Sequence, residues 1–194
     1  LAIGRISLAN QNFATATNSY NVAVGYNSGA VLTTGINNTL IGGLTGDALT
    51  TGGYNVAVGQ NALSADTLGS LTTAIGQGAL ANQNFTTATN TFNTAVGYDA
   101  GSAITTSQYN TIVGGLAADA LTTGNENTAI GVGALGTETA GDRNVAVGNG
   151  ALSTQNITGG GDIYNTGVGY FAGANVTTGV QNTLIGGLAG DALT

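Results

Sequence analysis

One phrase, Asn-x-Ala-Val-Gly and its close variants, returns along the whole chain at an almost fixed interval, and that interval limits the fold more than any other property. It reads Asn21-Val22-Ala23-Val24-Gly25, then Asn38-Thr39-Leu40-Ile41-Gly42, and last Asn182-Thr183-Leu184-Ile185-Gly186. The closing glycine stands at Gly4, Gly25, Gly42, Gly59, Gly76, Gly97, Gly114, Gly131, Gly148, Gly169 and Gly186. Most of these glycines are seventeen positions apart. Three steps, from Gly4 to Gly25, Gly76 to Gly97 and Gly148 to Gly169, are longer by four. The unit is therefore seventeen residues long, every fourth is lengthened, and four units make a superrepeat of seventy-two. Longer phrases keep the same period: Ala-Asn-Gln-Asn-Phe at 9–13 and 81–85, and Asp-Ala-Leu-Thr at 47–50, 119–122 and 191–194. The chain reads as one continuous repeat domain, 1–194, with superrepeats at about 1–72, 73–144 and 145–194. It opens on Leu1 inside a repeat, as an excerpt of a longer polypeptide would.

Periods of this kind belong to stacked architectures, in which each unit buries its apolar face only against its neighbours. Seventeen residues are too few for two helices and their turns, and Val, Ile and Thr beside glycine favour strands. The expected fold is all-β, a parallel β-solenoid or β-roll with one coil per unit. Coils stack at the inter-strand spacing of about 4.8 Å, so eleven make a rod roughly 50 Å long.

Stacking turns each repeat position into a column. Four residues before the glycine lie Asn21, Asn38, Asn55, Asn93, Asn110, Asn127, Asn144, Asn165 and Asn182, with Thr72 as the exception. Asparagines in such a column can form an amide ladder and can occupy a turn. The glycine column points to a backbone angle or close approach that a Cβ would block. The residue before the glycine is always Val or Ile, and two earlier it is Val or Thr in every unit after the first. Both belong to one strand face, and the face between them carries Ala, Leu, Ile or Gly167. Three residues after the glycine every unit is small: Ser7, Ser28, Thr45, then alanine from Ala62 to Ala189. A second glycine, as at Gly35, Gly52, Gly69, Gly124, Gly141 and Gly179, marks a second corner. So thin a coil encloses few side chains. The second apolar face and the small column together predict packing against further copies, hence a homo-oligomer.

The phrases Asn-Thr-Ala-Val-Gly and Asn-Val-Ala-Val-Gly resemble the Asn-Ser-Val-Ala-Ile-Gly repeat of YadA-type trimeric autotransporter adhesin heads. They are still more similar to the Asn-Thr-Ala-Val-Gly-Tyr-x-Ala-Gly and Thr-Thr-Gly repeats of bacterial surface fibres and phage tail fibres. Tyr98-Asp99-Ala100-Gly101 and Thr122-Thr123-Gly124 carry that second pattern, and the similarity runs through the whole chain. The resemblance implies a trimeric, left-handed parallel β-roll displayed outside the cell or on a virion and used for attachment. YadA-type heads use a shorter repeat, so the outline of the coil is expected to differ.

Composition removes most other functions. Only two residues are basic, Arg5 and Arg143, the net charge is −7, and there is no lysine. A nucleic-acid groove needs a basic stripe, and an anionic membrane surface repels such a chain. No apolar run approaches the roughly 18 residues of a membrane span, so direct membrane insertion is not expected. Without His, Cys or Lys the usual bases and nucleophile partners of an enzyme are missing. Asp66 and Glu138 follow the repeat instead of clustering as a glycosidase pair would. No catalytic residue, cofactor or metal is expected.

Binding candidates remain. Gly42-Gly43-Leu44-Thr45-Gly46-Asp47 approaches a calcium-roll phrase. A calcium roll needs its aspartate at every ninth position, but Asp47, Asp119 and Asp191 recur once per superrepeat and read as turn caps. The Thr-Thr pairs at 33–34, 50–51, 122–123 and 177–178 suggest an ice face, but adjacent residues of a strand point to opposite sides. Tyr26, Tyr98 and Tyr170 occupy equivalent places, as do Tyr20, Phe92 and Tyr164. The first three are candidate glycan contacts, and the insertions near Gln11, Gln83 and Gln155 are candidate specificity loops. The reading is a structural extracellular fibre, self-associating and able to extend as a filament, with a cell-surface glycan or protein as receptor. A glycan-binding or ice-binding solenoid module is the alternative.

Overall fold

The computed structural model describes residues 1–193; Thr194, which closes the third Asp-Ala-Leu-Thr phrase, lies outside the described residues. Among the described residues every regular element is a strand, and each repeat phrase supplies one of two or three residues, from Ala2–Ile3 and Val22–Val24 to Thr183–Ile185. Eleven of them join in chain order into one parallel sheet. A solenoid with one coil per repeat unit is thus the fold of the chain.

Pairing follows the period. Val22 faces Thr39, whereas Ala2 faces Ala23, Thr73 faces Thr94 and Val145 faces Thr166 across the lengthened units. The extra residues leave the ladder undisturbed. They are taken up where Gly69–Ser70 pairs with Thr89–Asn90 and Gly141–Asp142 pairs with Gly161–Asp162, with Thr86, Thr87 and Ala88 projecting into solvent.

Strands stay this short because left-handed corners bound them. The closing glycines take φ between 124 and 143°. The residue five before each glycine is also left-handed and is never glycine: Tyr20, Asn37, Tyr54, Leu71, Phe92, Tyr109, Glu126, Arg143, Tyr164 and Gln181, at 49 to 61°. Four residues after the glycine, Leu63, Leu80, Leu135 and Leu152 adopt 50 to 55°. Such a residue costs roughly 1–2 kcal/mol of backbone strain, and burial of the leucine side chain offsets it by about the same amount. All four leucines are fully buried.

The face with Ala23, Leu40, Ala57, Ala74, Ala95 and Ile112 fills the coil interior, at 0% exposure. The small column fills it too: Ser28, Thr45, Ala62, Ala79, Ala100 and Ala117 are all at 0% within this one chain. The expectation that this column packs against another copy is therefore corrected. It is small because it turns inward at a tight corner, next to the leucine that follows it.

The core also explains why the superrepeat exists. Leu40 stands where most coils have alanine, and it fills the room left by Gly29 and Gly46; a Cβ on those glycines would come within 2.8 and 3.0 Å of it. Ile112 does the same beside Gly101, at 2.9 Å. Where the inward strand residue is Ala57 or Ala74, Leu63 and Leu80 supply the volume instead. Leu40 and Ile112 thus fill space on the level before their own as well as on their own. Leu40→Ala is expected to cost about 2–5 kcal/mol through the cavity it opens, and Ala57→Leu to destabilise by about 1–3 kcal/mol through overpacking against Leu63. Urea unfolding followed by circular dichroism checks both.

Candidate functional site

The asparagine column lies inside the coil, buried, and does two jobs. Each Oδ1 accepts the backbone N–H of the next coil: Asn38 N at 2.8 Å from Asn21, Asn127 N at 2.9 Å from Asn110, Asn182 N at 2.8 Å from Asn165. Seven of the nine Nδ2 groups donate across the coil to the carbonyl of the second corner, while Asn144 and Asn182 donate only to the asparagine of the coil before. Asn21 reaches Gly35 at 2.7 Å, Asn38 reaches Gly52 at 3.0 Å, Asn55 reaches Gly69 at 3.0 Å, and Asn93 reaches Ser107, which stands in the glycine's place, at 2.7 Å. Side-chain to side-chain bonds, the expected ladder, join only some steps, such as Asn144 Nδ2 to Asn127 Oδ1 at 3.0 Å. The column is a brace as much as a ladder. It ties the strand corner to the opposite corner and to the next level.

The brace changes at the lengthened units, which hold a buried acid–amide pair. Gln83 Nε2 donates to Asp66 Oδ2 at 2.7 Å, and Gln83 Oε1 accepts Asn93 Nδ2 at 2.9 Å. Asp66 also accepts the N–H of Gly69 at 3.0 Å and of Phe85 at 3.1 Å. One superrepeat later Gln155 Nε2 donates to Glu138 Oε2 at 2.9 Å and Gln155 Oε1 accepts Asn165 Nδ2 at 2.8 Å. Asp66, Gln83, Glu138 and Gln155 are all at 0% exposure. These acids are sealed in the core, out of reach of any substrate. The predicted insertion sites Gln83 and Gln155 are thus plugs of the coil, and only the residues after them form loops.

Burial pushes the carboxyl of Asp66 above its ordinary value, against the pull of the Gln83 amide and three backbone N–H groups. Burial also raises the carboxyls of Asp47 and Asp119. The folded chain therefore keeps protons that the unfolded chain has released. The stability these groups contribute is present below the ordinary carboxylate range and is lost as pH rises through their raised values. The melting temperature is expected to rise on acidification from about pH 7 towards about pH 4. A series of thermal melts checks the sign.

The outer strand face is the next feature. The residue before each glycine faces out at every level, with Ile41 39%, Ile75 37%, Val113 36% and Ile130 37% exposed, beside a second column of Val and Thr. No strand of the ladder from Val22–Val24 to Thr183–Ile185 contains a charged residue. The result is an apolar stripe along the length of the sheet.

The sequence-derived ligand candidates stay apart. Tyr26, Tyr98 and Tyr170 are exposed but four coils from one another, about 19 Å at the strand spacing. Tyr26 lies under the Arg5 guanidinium, and Tyr170 meets the edge of Phe171. Asp47, Asp119 and Asp191 are equally separated, and among the described residues no three acidic side chains converge as metal ligands. The threonine pairs lie at bends, not in strands; three of the four split, and Thr177 and Thr178 are both exposed. Thr33, Thr50 and Thr122 donate to carbonyls one coil on, at 3.1, 2.9 and 2.7 Å, while Thr34, Thr51 and Thr123 are exposed.

What the sequence reading missed is the left-handed corner column five residues before the glycine. Tyr20, Tyr54, Phe92, Tyr109 and Tyr164 all project there, about half exposed or more. Phe92 and Tyr109 stack at 5.5 Å. Where the aromatics stop, Arg143 bonds Glu126 of the coil before and Asp162 of the coil after, with Tyr164 at its side. Beside Tyr54 the surface is concave, a groove of about 340 Å³. The chain was compared with family models, with curated proteins and with solved structures, and nothing matches. What bears on function is therefore these surfaces themselves.

Proposed function

We propose that this chain is a length of extracellular structural fibre, a rod that gives rigid display and attachment and that associates with further copies of itself. The apolar outer stripe carries this reading. A column of Val and Ile repeated at every level, with no charge in any strand that carries it, is a surface of the kind soluble monomers seldom leave open. Parallel, in-register strands also present it as a straight edge, which a second copy can match level by level. The trimeric arrangement implied by the resemblance to adhesin heads and tail fibres is the proposed closure, since a rod with one apolar stripe is satisfied by a cyclic assembly about its own axis. A chain with only two arginines and no lysine offers trypsin little to cut, which suits a location on a cell surface or virion.

Sedimentation tests the proposal. The 18.8 kDa chain is expected to sediment as a trimer, and electron micrographs should resolve rods. Ile75→Lys together with Val113→Lys places charge on the stripe without touching the core; the variant is expected to keep its circular dichroism spectrum and to fall to the monomer. A wild-type chain that stays monomeric at high micromolar concentration would sink the reading.

A further inference from the structure

The groove beside Tyr54 lies at the left-handed corner that precedes the strand Val56–Val58. Thr34, Thr51, Tyr54, Ser70, Leu71 and Asn90 are among the residues that line it. All six are uncharged, and the exposed hydroxyls and amide stand beside an aromatic ring that is 56% exposed. Tyr54 stacks on no other ring among the described residues. In the same left-handed column Tyr20 stands two coils before it and Phe92 two coils after it, 71% and 50% exposed, with one face of Phe92 covered by Tyr109. Two coils span roughly 10 Å. That is the length of one disaccharide in an extended β-1,4-linked chain, whose sugar rings present an apolar face at every second residue.

We propose that this corner binds a neutral β-1,4-linked glycan, lying along the rod, with Tyr54 as the central stacking platform and Tyr20 and Phe92 as the flanking ones. A pyranose face of C–H groups packs on an aromatic ring, and its edge hydroxyls exchange hydrogen bonds with Thr34, Thr51 and Asn90. Charge selects against the other polysaccharides. With a net charge of −7 and no basic residue in the groove, a polyanionic glycan is repelled rather than held. The rings are preset by the stack itself, because each sits on a corner whose backbone is fixed by the coils above and below.

The test uses the full chain, with cellohexaose, chitohexaose and an alginate hexamer titrated by calorimetry. One neutral hexaose is expected to bind at least tenfold tighter than its own disaccharide, because only the longer chain reaches three platforms. Tyr54→Asn keeps a residue suited to the left-handed corner, as Asn37 is in the same column, and is expected to lower hexaose affinity at least tenfold with an unchanged melting temperature. Tyr98→Ala, on a separate column, is expected to change nothing. Cellohexaose and chitohexaose distinguish a glucan from a chitin-like ligand. Absence of binding by both neutral hexaoses at millimolar concentration, tighter binding of alginate, or full affinity in Tyr54→Asn would overturn the proposal. Since the titration reads sugar binding and sedimentation reads assembly, the two can fail separately.

Discussion

Gly114→Ala is expected to destabilise the rod by about 2–6 kcal/mol, a loss that few single methyl additions produce. Two causes add. The backbone there has φ 138°, where an L side chain is strained by roughly 1–3 kcal/mol. A Cβ would also lie 2.5 Å from the carbonyl oxygen of Gly131 and 2.6 Å from its carbon. The obstacle is backbone, so no side chain can turn aside; the next strand must move, and overpacking of that kind costs roughly 1–3 kcal/mol more. Because the same contact recurs at Gly25, Gly42, Gly59, Gly97, Gly131, Gly148 and Gly169, the shift would pass to every level stacked beyond it. Gly43→Ala is the control, since its added methyl meets nothing within 4 Å. Urea unfolding should separate the two variants clearly. Equal midpoints would mean that the coils are not stacked glycine on glycine.

The second large effect concerns the sealed acid. Gln83→Leu is expected to cost about 3 kcal/mol, because it strips the Asp66 carboxylate of its 2.7 Å amide bond and leaves a buried charge underserved. Asp66→Leu alone should cost nearly as much, by orphaning the Gln83 amide. The pair Asp66→Leu with Gln83→Leu should recover most of the loss, because the same column is apolar in neighbouring coils, with Leu32, Leu49, Ile104 and Leu121. A double-mutant cycle should therefore show strong coupling. The Gln83→Leu defect should also shrink in acid, where a protonated Asp66 needs its amide partner less. Additive losses, or a defect that does not change with pH, would mean that the acid and amide act independently.

Why the stack can be read from the chain, and some of its contents cannot, follows from the same geometry. Stacking at one spacing turns a period into a line, so Asn21 through Asn182 and the closing glycines declare their columns in the sequence itself. A column does not state which way it points. Ala62 and its equivalents fit an outer contact as well as an inner corner, and only the left-handed Leu63 beside them decides for the inside. Leucine and tyrosine carry no left-handed signal, so the corner columns they occupy are silent in the sequence. Compensation between Leu40 and Gly29 is hidden because it joins different columns on different levels. The Asp66–Gln83 pair does leave a trace, an acid and a glutamine one unit apart, repeated as Glu138 and Gln155. Reading Asp66 and Glu138 only against a catalytic carboxylate pair obscures it. Tyr54 escapes a comparison of aromatics one superrepeat apart, because its partners lie two coils away.

The four added residues of every lengthened unit bulge outward while Thr73 still meets Thr94 and Val145 still meets Thr166. Pairing energy and bulge length are thereby uncoupled. A foreign peptide spliced after Phe85 or Ile157 would ride on the rod at each fourth level without shifting any strand. The molecule is a graduated scaffold whose markings can be rewritten while the ruler beneath them keeps its scale.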